Sequence, residues 1–559
     1  MALERLKIPV GVTDFSEIRK NGYYYVDKTG LITELIKDEG TQVTLLTRPR
    51  RFGKTMAMNM LAYFFDIRKD SKDLFRTLEV ANEEDVCRLW MNQYPVLFLS
   101  WKDVDGTTFE NALNMLKFTL AQFCIEHSYL GKSEKVNEEY KRVFEKMVNR
   151  TESLTEVQTS IKILMTMMYE HYERPVILLL DEYDVPMAKA SEHGYYKEML
   201  EVMKVMMGIS LKDNPYLKFA VVTGCLKIAK ESIFTGTNNF VSDTITSSRF
   251  NEYFGFTQEE VDRILRDAKL EEHAEKMKRW YDGYHFGTFD VYCPWDVMNY
   301  LRDIQYDPNI TPMSYWKNTS DNAIIRSFID FAGNNITAKL ETLLSGGCIT
   351  ERIEENLTYD YLHSSEENFW SVLYLTGYLT KMRESELSIP LPDGVSAFQI
   401  PNEEIREIFE TTVMKWFNDR AKSCDRKRLF DAVWNGEAEI LTKEITTLLR
   451  MTISYHDYRE DFYHAFLAGI FSGAGYMVES NREHGEGRSD LVVFDSYGGR
   501  VAIFEAKYSK TWKNLDKDCS RAISQINEKM YDREFEDNYD EVLCYGISFY
   551  KKRCLVKKK

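Results

Sequence analysis

The sequence lacks the patterns that would place it in a membrane, outside the cell or around a structural metal. Its nine cysteines form no CxxC pair, and its nine histidines form no cluster at metal-ligand spacing. A run of about eighteen consecutive apolar residues is absent, which excludes a transmembrane helix. The first ten residues mix charged and apolar side chains and do not resemble a secretory signal. We therefore expect a cytoplasmic protein, with no membrane partner, whose thiols are reduced and mostly packed.

Glycine and proline are sparse, at 28 and 12 of 559 residues, and no linker, repeat or low-complexity tract divides the chain. The length nevertheless predicts three to four domains, at about 150 residues per domain. Hydrophobic residues make up 44% and charged residues 29%, which is typical of globular chains and excludes a disordered or fibrous protein.

Positive charge is in deficit, because 72 Lys and Arg stand against 88 Asp and Glu, a net charge of −16. The excess of negative charge argues against a protein whose whole surface binds nucleic acid non-specifically. Residues 451–559 differ from the rest, with 17 basic and 18 acidic side chains. Only this last module has a charge balance that would allow it to bind a polyanion such as nucleic acid. Its basic end, 551–559, is more typical of a solvated terminus than of a binding arm.

Apolar runs alternate with amphipathic stretches in the first half, the pattern of parallel strands joined by helices. The predicted central strands are Val43–Leu46, Val96–Leu99, Val176–Leu180 and Phe219–Val222. We predict an α/β protein in three regions. A doubly wound parallel sheet occupies 1–250, a mainly helical region without a catalytic pattern occupies 251–450, and a small α/β module occupies 451–559.

A phosphate-binding loop is predicted directly after the first strand, in the run Arg48–Thr55 that precedes a helix. In such a loop, backbone N–H groups and the positive end of the helix surround the phosphates. A lysine then reaches the β and γ oxygens, and a hydroxyl takes Mg²⁺. Gly53, Lys54 and Thr55 fit these roles, and Arg51 and Phe52 complete the predicted ATP-binding run.

The first glycine of the pattern GxxxxGK[ST] is replaced by Arg48, so the loop has to turn in another way. Pro49 would help to shape it, and Arg48, Arg50 and Arg51 would add positive charge near the phosphates. The alternative is an ordinary basic loop that caps a helix.

Two adjacent carboxylates, Asp181 and Glu182, end the apolar strand at 176–180. Ligands bind at the carboxyl ends of strands in open α/β sheets, so both should lie beside Lys54 and Thr55. Asp181 would hold Mg²⁺, and Glu182 would orient or deprotonate the attacking water. A helix cap or a surface pair would explain an isolated Asp-Glu, but the combination with the loop favours an ATP site.

A β-hairpin near the C-terminus would bring two carboxylates and a lysine together. If the turn is centred between Tyr497 and Gly498, Asp490 faces Glu505 with Cβ atoms about 5 Å apart. A shared divalent cation would relieve their repulsion, and Lys507 on the same face would position or activate a water. If Gly498-Gly499 alone forms the turn, Asp490 faces Lys507 in a salt bridge. The spacing leaves both registers open.

Several further residues are weaker candidates for these two sites. Thr223 would sense the γ-phosphate and Arg249 would neutralise charge in the transition state. The candidates for the second site are Glu479 as an extra metal ligand, Gln525 as a substrate contact, and Glu460 and Asp461 as accessory acids.

Over nearly its whole length the chain resembles a family of bacterial and archaeal proteins. These are AAA-ATPase-like proteins with a C-terminal nuclease-like domain of the PD-(D/E)xK superfamily. The marks of the resemblance are 8–11, Phe15, 25–29, 48–55, 180–184, 281–284, 294–295 and D-x(14)-E-x-K at Asp490, Glu505 and Lys507. Cys293 stands where the family pattern suggests Asn, and Ser489 where the superfamily has proline. The family shares Arg at position 48, so the missing glycine is a family trait.

The resemblance implies a P-loop NTPase fold in the first region and a restriction-endonuclease-like fold in the last. The expected metal ligands are Thr55 and Asp181 in the ATP site, and Asp490 and Glu505 in the nuclease site. The aromatic blocks at 281–284 and 294–295 are expected to be packing and not part of a site.

The leading hypothesis is an ATPase fused to a Mg²⁺-dependent nuclease, with DNA favoured over RNA as its partner and the nucleotide state controlling access. The rival is a non-catalytic ATP-dependent switch whose last domain binds nucleic acid or a protein without cleavage. The sequence leaves a homo-oligomer open.

Overall fold

A computed structural model describes most of the chain, and two compact units divide it. The described residues are 5–38, 40–227, 239–316, 334–355, 357, 365–387, 389–412, 427–451, 463, 466–468, 470–471, 476–480, 483–484, 487–488, 490–495 and 498–559. The N-terminal unit comprises 1–321 and 348–408, and the C-terminal unit comprises 322–347 and 409–559. The boundaries at 250 and 450 stay predictions. Within the described ranges, no helix combines the length and apolarity needed to cross a bilayer.

The helices and strands are numbered here along the chain. The helices are α1 Phe15–Lys20, α2 Gly30–Lys37, α3 Lys54–Phe65, α4 Lys72–Phe75, α5 Glu84–Trp90, α6 Phe109–Glu126, α7 Glu138–Asn149, α8 Leu154–Tyr172, α9 Val185–His193, α10 Tyr196–Leu211, α11 Gln258–Ala268, α12 Ala274–Tyr281, α13 Pro294–Tyr306, α14 Asn334–Leu344, α15 Glu366–Leu375, α16 Lys427–Trp434, α17 Ala438–Met451, α18 Leu515–Lys529 and α19 Arg533–Glu536. The strands are β1 Val43–Thr47, β2 Val96–Ser100, β3 Val176–Asp181, β4 Leu217–Gly224, β5 Phe240–Asp243, β6 Tyr284–Phe286, β7 Phe289–Val291, β8 Ile349–Arg352, β9 Thr380–Lys381, β10 Val395–Gln399, β11 Met477–Ser480, β12 Glu483–His484, β13 Gly487–Arg488, β14 Leu491–Asp495, β15 Arg500–Tyr508, β16 Glu541–Tyr550 and β17 Arg553–Lys558.

A five-stranded parallel sheet in the order β2-β3-β4-β1-β5 organises the N-terminal unit. All four predicted strands are present, and the α/β fold class is confirmed. The short edge strand β5 was not predicted, since its sequence Phe-Val-Ser-Asp is half polar. Because β4 lies between β1 and β3, the carboxyl ends of these three strands adjoin at one edge, where the phosphate-binding loop leaves β1.

Helices cover both faces of this sheet. On one face, Leu178 and Leu180 of β3 pack in a core with Leu116 of α6, Leu164 of α8 and Met203 of α10. On the other face lies α3, whose Phe65 meets Phe219 edge-on with ring centroids 5.5 Å apart. Strands β1 and β3 are buried along their whole length on both sides, which is why their sequences are largely aliphatic runs and not alternating ones.

The region after the sheet is mainly helical, as expected, with two small antiparallel sheets. Strands β6 and β7 form a hairpin, and β8, β10 and β9 form a three-stranded sheet in that order.

The C-terminal unit contains a mixed sheet in the order β11-β14-β15-β16-β17, in which only the β15–β16 pair is parallel. One face packs on α16 and α17, and the other packs on α18 through Ile526. This arrangement confirms the predicted small α/β module.

The expectation of a solvated end at 551–559 is wrong, because 553–558 forms β17 and pairs with β16. Cys554 and Val556 are buried and alternate with the more exposed Arg553, Leu555 and Lys557, so this segment has the period of a half-buried edge strand.

Candidate functional site

Two hydroxyl groups, one from α3 and one from β4, meet at one fully buried carboxylate, Asp181 at the end of β3. Thr55 at the start of α3 donates its hydroxyl proton to Oδ2 of Asp181 at 2.8 Å. Thr223 near the end of β4 donates to Oδ1 at 2.5 Å. Thr223 thus holds Asp181 in this structure, a different task from the γ-phosphate contact expected for it. The hydroxyl of Thr55 and the carboxylate of Asp181 are adjacent hard oxygen ligands, which fits the donor set that Mg²⁺ prefers.

The loop lysine, Lys54, is folded onto its own loop. Its Nζ donates to the backbone oxygens of Arg48 and Pro49, both at 2.9 Å, and lies 3.6 Å from Sγ of Cys225. The side chain is 5% exposed and lines the cavity described below. The ammonium group therefore lies within the loop, where two backbone carbonyl oxygens are its hydrogen-bond acceptors.

Arg48, which replaces the first glycine of the loop pattern, is fully buried and does not add charge to the phosphate position. Its Nη1 donates to the backbone oxygens of Thr47 and Asp243, both at 2.8 Å, and its Nη2 to that of Arg249 at 3.3 Å. The expectation for Arg48 is therefore wrong. Its guanidinium ties the end of β1 to the end of β5, and its five donors suit this role where a lysine would not.

The loop turns through residues in the left-handed region. Gly53 has φ 87° and caps α3, and Arg51 has φ 72° although it is not glycine. The guanidinium of Arg51 lies over the rings of Trp295 and Trp316, 5.6 and 5.8 Å from their centroids. The left-handed turn thus lies three residues beyond the missing glycine, at Arg51, a position that no sequence pattern marked.

Glu182 faces the cavity beside the loop, whereas its neighbour Asp181 does not line it. Glu182 has φ 54°, which turns the chain sharply after β3. Burial raises the pKa of Glu182 above its ordinary value, and the negative charge of Asp181 adds to the effect. A carboxyl group with a raised pKa beside the loop lysine suits the role of a general base.

The cavity at this edge has a volume of about 390 Å³ and takes in the predicted loop residues from Arg50 to Thr55 together with Glu182. Its wall also contains Tyr25, Lys28 and Trp295. The block at 294–295, expected to be packing and not part of a site, thus lines this cavity, and its exclusion from a site stays a prediction. Aromatic side chains at a cavity wall and in a core have the same sequence pattern, so the residues alone could not separate the two.

Lys28 fixes one part of this wall. Its Nζ lies 2.7 Å from both carboxylate oxygens of Glu260 on α11 and 2.6 Å from the backbone oxygen of Glu252. The motif at 25–29 thus joins the cavity to the helical region that follows the sheet.

The contacts of Arg249 do not support the role in charge neutralisation that was expected for it. Its Nη1 lies 2.5 Å from Asp38 and its Nη2 lies 2.7 Å from Asp243. These two carboxylates raise the pKa of Arg249 and make it a structural ion-pair centre.

The hairpin of the C-terminal unit has the first of the two registers considered. Leu491 pairs with Phe504, so one further step along the ladder places Asp490 opposite Glu505. Lys507 follows on the same face of β15, and its Nζ lies 2.7 Å from Oε1 of Glu505. The structure therefore brings together the three side chains predicted for the second site, and the register in which Asp490 faces Lys507 is excluded.

The two carboxylates of this site have unequal surroundings. Oδ2 of Asp490 accepts the backbone N–H of Ala506 at 2.7 Å. Glu505 is fully buried, and its Oε2 has no hydrogen-bond partner. Burial, followed by the charge of Asp490, raises the pKa of Glu505 to about 7. A buried oxygen without a donor, beside a second carboxylate, fits a site for a divalent cation.

The weaker candidates separate into two groups. Glu479 pairs with Val492 of β14, which puts it on the face of the sheet that carries Asp490. Gln525 on α18 donates to the Tyr531 hydroxyl at 3.3 Å. The charges of Glu505 and Asp490 raise the pKa of Tyr531 after burial does, so this pair lies near the site. Glu460 and Asp461 lie outside the described residues.

Besides the weaker candidate Glu479, the predicted set supplies two ligating side chains to each site, Thr55 and Asp181 in one and Asp490 and Glu505 in the other. In the part of the chain that the structure describes, no group of three or more His, Cys, Asp or Glu side chains is arranged to hold a metal ion. A cation at either position would therefore keep water or substrate oxygens in its remaining positions, as Mg²⁺ commonly does.

Comparisons with known proteins match these two regions separately. Residues 9–234 match the family model described as predicted AAA-ATPase, and residues 458–559 match that of the PD-(D/E)XK nuclease superfamily. A protein of Azotobacter chroococcum mcd 1, described as an uncharacterized protein in the vnfD 5′ region, is 23% identical over 562 residues. The match covers 98% of this chain and 97% of that protein.

Substituting Arg48→Gly would restore the usual glycine and is expected to destabilise the N-terminal unit by about 2–4 kcal/mol. The reason is that buried carbonyls lose their donor and a cavity remains. Arg50→Gly is the matched control, because Arg50 belongs to the same loop and is exposed. Thermal unfolding of the two variants measures the difference. Equal midpoints would show that the Arg48 guanidinium contributes nothing to stability.

Substituting Glu505→Gln is expected to stabilise the protein at pH 8. The folded-state pKa of about 7 exceeds the ordinary 4.5, so the wild type loses stability as the pH rises through this interval. The variant avoids this loss, so its advantage is small at pH 5 and reaches about 1–3 kcal/mol at pH 8.

Calorimetry in the presence of a chelator at both pH values checks this prediction. Glu528→Gln on the exposed side of α18 is the control and should change neither midpoint. A lower midpoint of the Glu505→Gln variant at pH 8 would contradict the assignment of Glu505 as a destabilising buried carboxyl group.

Proposed function

We propose that this chain, AAA-ATPase-like over 9–234 and of the PD-(D/E)XK nuclease superfamily over 458–559, is an ATP-hydrolysing protein that carries its own Mg²⁺-dependent nuclease. The substrate that we propose is DNA, and the nucleotide state would control access to the nuclease. The observation that carries the nuclease assignment is the pair formed by half-buried Asp490 and fully buried Glu505, with one oxygen of Glu505 left without a partner and Lys507 beside it.

In the ATP site, Lys54 would exchange its contacts with the loop carbonyls for the phosphate oxygens of the nucleotide. Thr55 and Asp181 would hold Mg²⁺, which supplies charge neutralisation at the β and γ phosphates. Glu182 would accept a proton from the attacking water, for which its raised pKa is suited. Backbone N–H groups from Arg51 to Gly53 would bind the phosphates at the start of α3.

In the nuclease site, Asp490 and Glu505 would hold a divalent cation that lowers the pKa of a bound water. Lys507 would position this water or stabilise the phosphate that it attacks. The oxygen of Glu505 that lacks a partner is the atom left for the cation, because the other oxygen already contacts Lys507.

A Lys54→Ala variant is expected to lose ATP binding by about 10-fold or more, because a charge-assisted contact to phosphate is worth about 1.5–3 kcal/mol. Lys37→Ala is the control, since Lys37 has 61% of its side chain exposed on α2. Calorimetric titration with ATP and Mg²⁺ measures the affinities. Wild-type affinity in the Lys54→Ala variant would refute the phosphate-binding loop.

A Lys507→Ala variant is expected to cleave DNA at least about 100-fold more slowly than the wild type with Mg²⁺ or Mn²⁺. Lys529→Ala, which removes the same charge from the exposed end of α18, is the control. The thermal midpoint serves as a second readout, because divalent cations should raise it in the wild type and not in Asp490→Asn.

DNA cleavage by the Lys54→Ala variant then tests whether the nucleotide state controls the nuclease. Loss of cleavage in this variant supports coupling between the sites, and unchanged cleavage shows that the nuclease acts without ATP. A wild type that binds ATP but cleaves no DNA or RNA with any divalent cation would favour a nucleotide switch without nuclease activity.

A further inference from the structure

The segment after Lys507 carries an unusually exposed tryptophan. Trp512 is 62% exposed, whereas the other tryptophans within the described ranges are buried or half-buried. A large aromatic surface left in water marks a contact site more often than a small apolar residue does. We call residues 509–514 the Trp512 loop. It joins the end of β15 to α18.

The loop lies next to the proposed nuclease site along the chain. Lys507 is the penultimate residue of β15, and Trp512 follows five residues later. Five residues span at most about 17 Å, so the indole lies within a few nucleotides of the attacked phosphate.

The backbone of the loop is fixed at both ends, although Trp512 is exposed. The N–H of Ser509 donates to the oxygen of Phe549 at 2.8 Å, and its hydroxyl donates to Asp518 at 2.8 Å. Ser548 donates to the backbone oxygen of Leu515 at 2.7 Å. A fixed backbone presents the indole without a large cost in conformational entropy on binding.

The charge around the loop is positive. Lys510, Lys513 and Lys517 are all exposed. The acids nearest in sequence already have cationic partners, since Asp516 lies 2.8 Å from Lys557 and Asp518 lies 3.5 Å from Arg521. Exposed aromatic rings among lysines are typical of sites that bind single-stranded nucleic acid.

We propose that the Trp512 loop binds an unpaired nucleotide next to the cleavage site. Trp512 stacks on its base, and Lys510 and Lys513 contact the flanking phosphates. The proposal rests on the proposed nuclease function and adds to it a preference for single-stranded or frayed substrates, because a base in a duplex does not expose its face for stacking.

The test is the binding of end-labelled oligonucleotides to the full-length protein in a chelator, which prevents cleavage. Fluorescence anisotropy measures the affinity for a single strand and for a blunt duplex of the same length. Trp512→Ala is expected to bind the single strand about 5- to 150-fold more weakly and the duplex almost unchanged. Trp512→Phe should keep most of the affinity, because a phenyl ring still stacks.

The lysines are tested by the salt dependence. Lys510→Ala and Lys513→Ala should each reduce the slope of log affinity against log salt by about 0.7 on a single strand, and the control Lys529→Ala should not. This readout measures phosphate contacts and would not change if the lysines only supported the fold.

Three results would overturn the inference. Equal affinity of Trp512→Ala and the wild type, with cleavage still dependent on Lys507, would refute the loop and leave the proposed function standing. An equal loss on single strand and duplex would refute base stacking. A wild type that neither binds nor cleaves nucleic acid would refute both.

Discussion

The proposed nucleotide site depends on the burial of one carboxylate, Asp181, at the carboxyl end of β3. A carboxylate out of water is unfavourable unless donors replace its hydration, and hydrogen bonds to charged groups contribute about 1.5–3 kcal/mol each. Thr55 and Thr223 supply two such donors from different elements. Satisfying Asp181 therefore also fixes the start of α3 and the end of β4 against β3, which sets the geometry of the phosphate-binding loop.

At the second site a carboxylate is also buried, but fewer hydrogen-bond donors replace its lost hydration. Asp490 accepts a backbone N–H, but fully buried Glu505 shares one oxygen with Lys507 and leaves the other without a donor. The first site satisfies its buried carboxylate by protein groups alone, whereas the second does not. A buried group that the protein leaves unsatisfied is evidence for a ligand, so the argument for a bound cation is stronger at the hairpin than at the loop.

The sequence predicted those parts in which local pattern and spacing determine the structure. Four aliphatic runs predicted four of five sheet strands, and a residue count across a turn reduced the hairpin to two registers, one of which is the observed one that places Asp490 opposite Glu505. A turn of fixed length leaves few registers, so counting succeeds there. The register in which Asp490 faces Lys507 does not occur, because the turn contains more residues than the Gly498-Gly499 pair.

The parts that could not be predicted depend on contacts between residues far apart in sequence. Arg48 was expected among the phosphates because it stands in a basic loop, yet its partners Asp243 and Arg249 lie about 200 residues away. Arg249 likewise binds Asp38. Charge alone does not distinguish an arginine that binds a ligand from one that binds carbonyls, since the same five donors serve both.

Backbone strain explains how two neighbouring carboxylates acquire different environments. In a regular strand, adjacent side chains point to opposite faces of the sheet. The chain turns sharply at the residue directly after β3, and a left-handed backbone conformation at that residue makes this turn possible. Glu182 adopts this conformation, which costs of order 1 kcal/mol or more for a residue that is not glycine. Asp181 stays buried against two hydroxyls, while Glu182 lines the cavity and has a raised pKa. Because Arg51 in the facing loop has a positive φ as well, the strain lies on both sides of the cavity. Strain of this kind persists only where the surrounding packing enforces it, and here it gives the two adjacent carboxylates, Asp181 and Glu182, different surroundings.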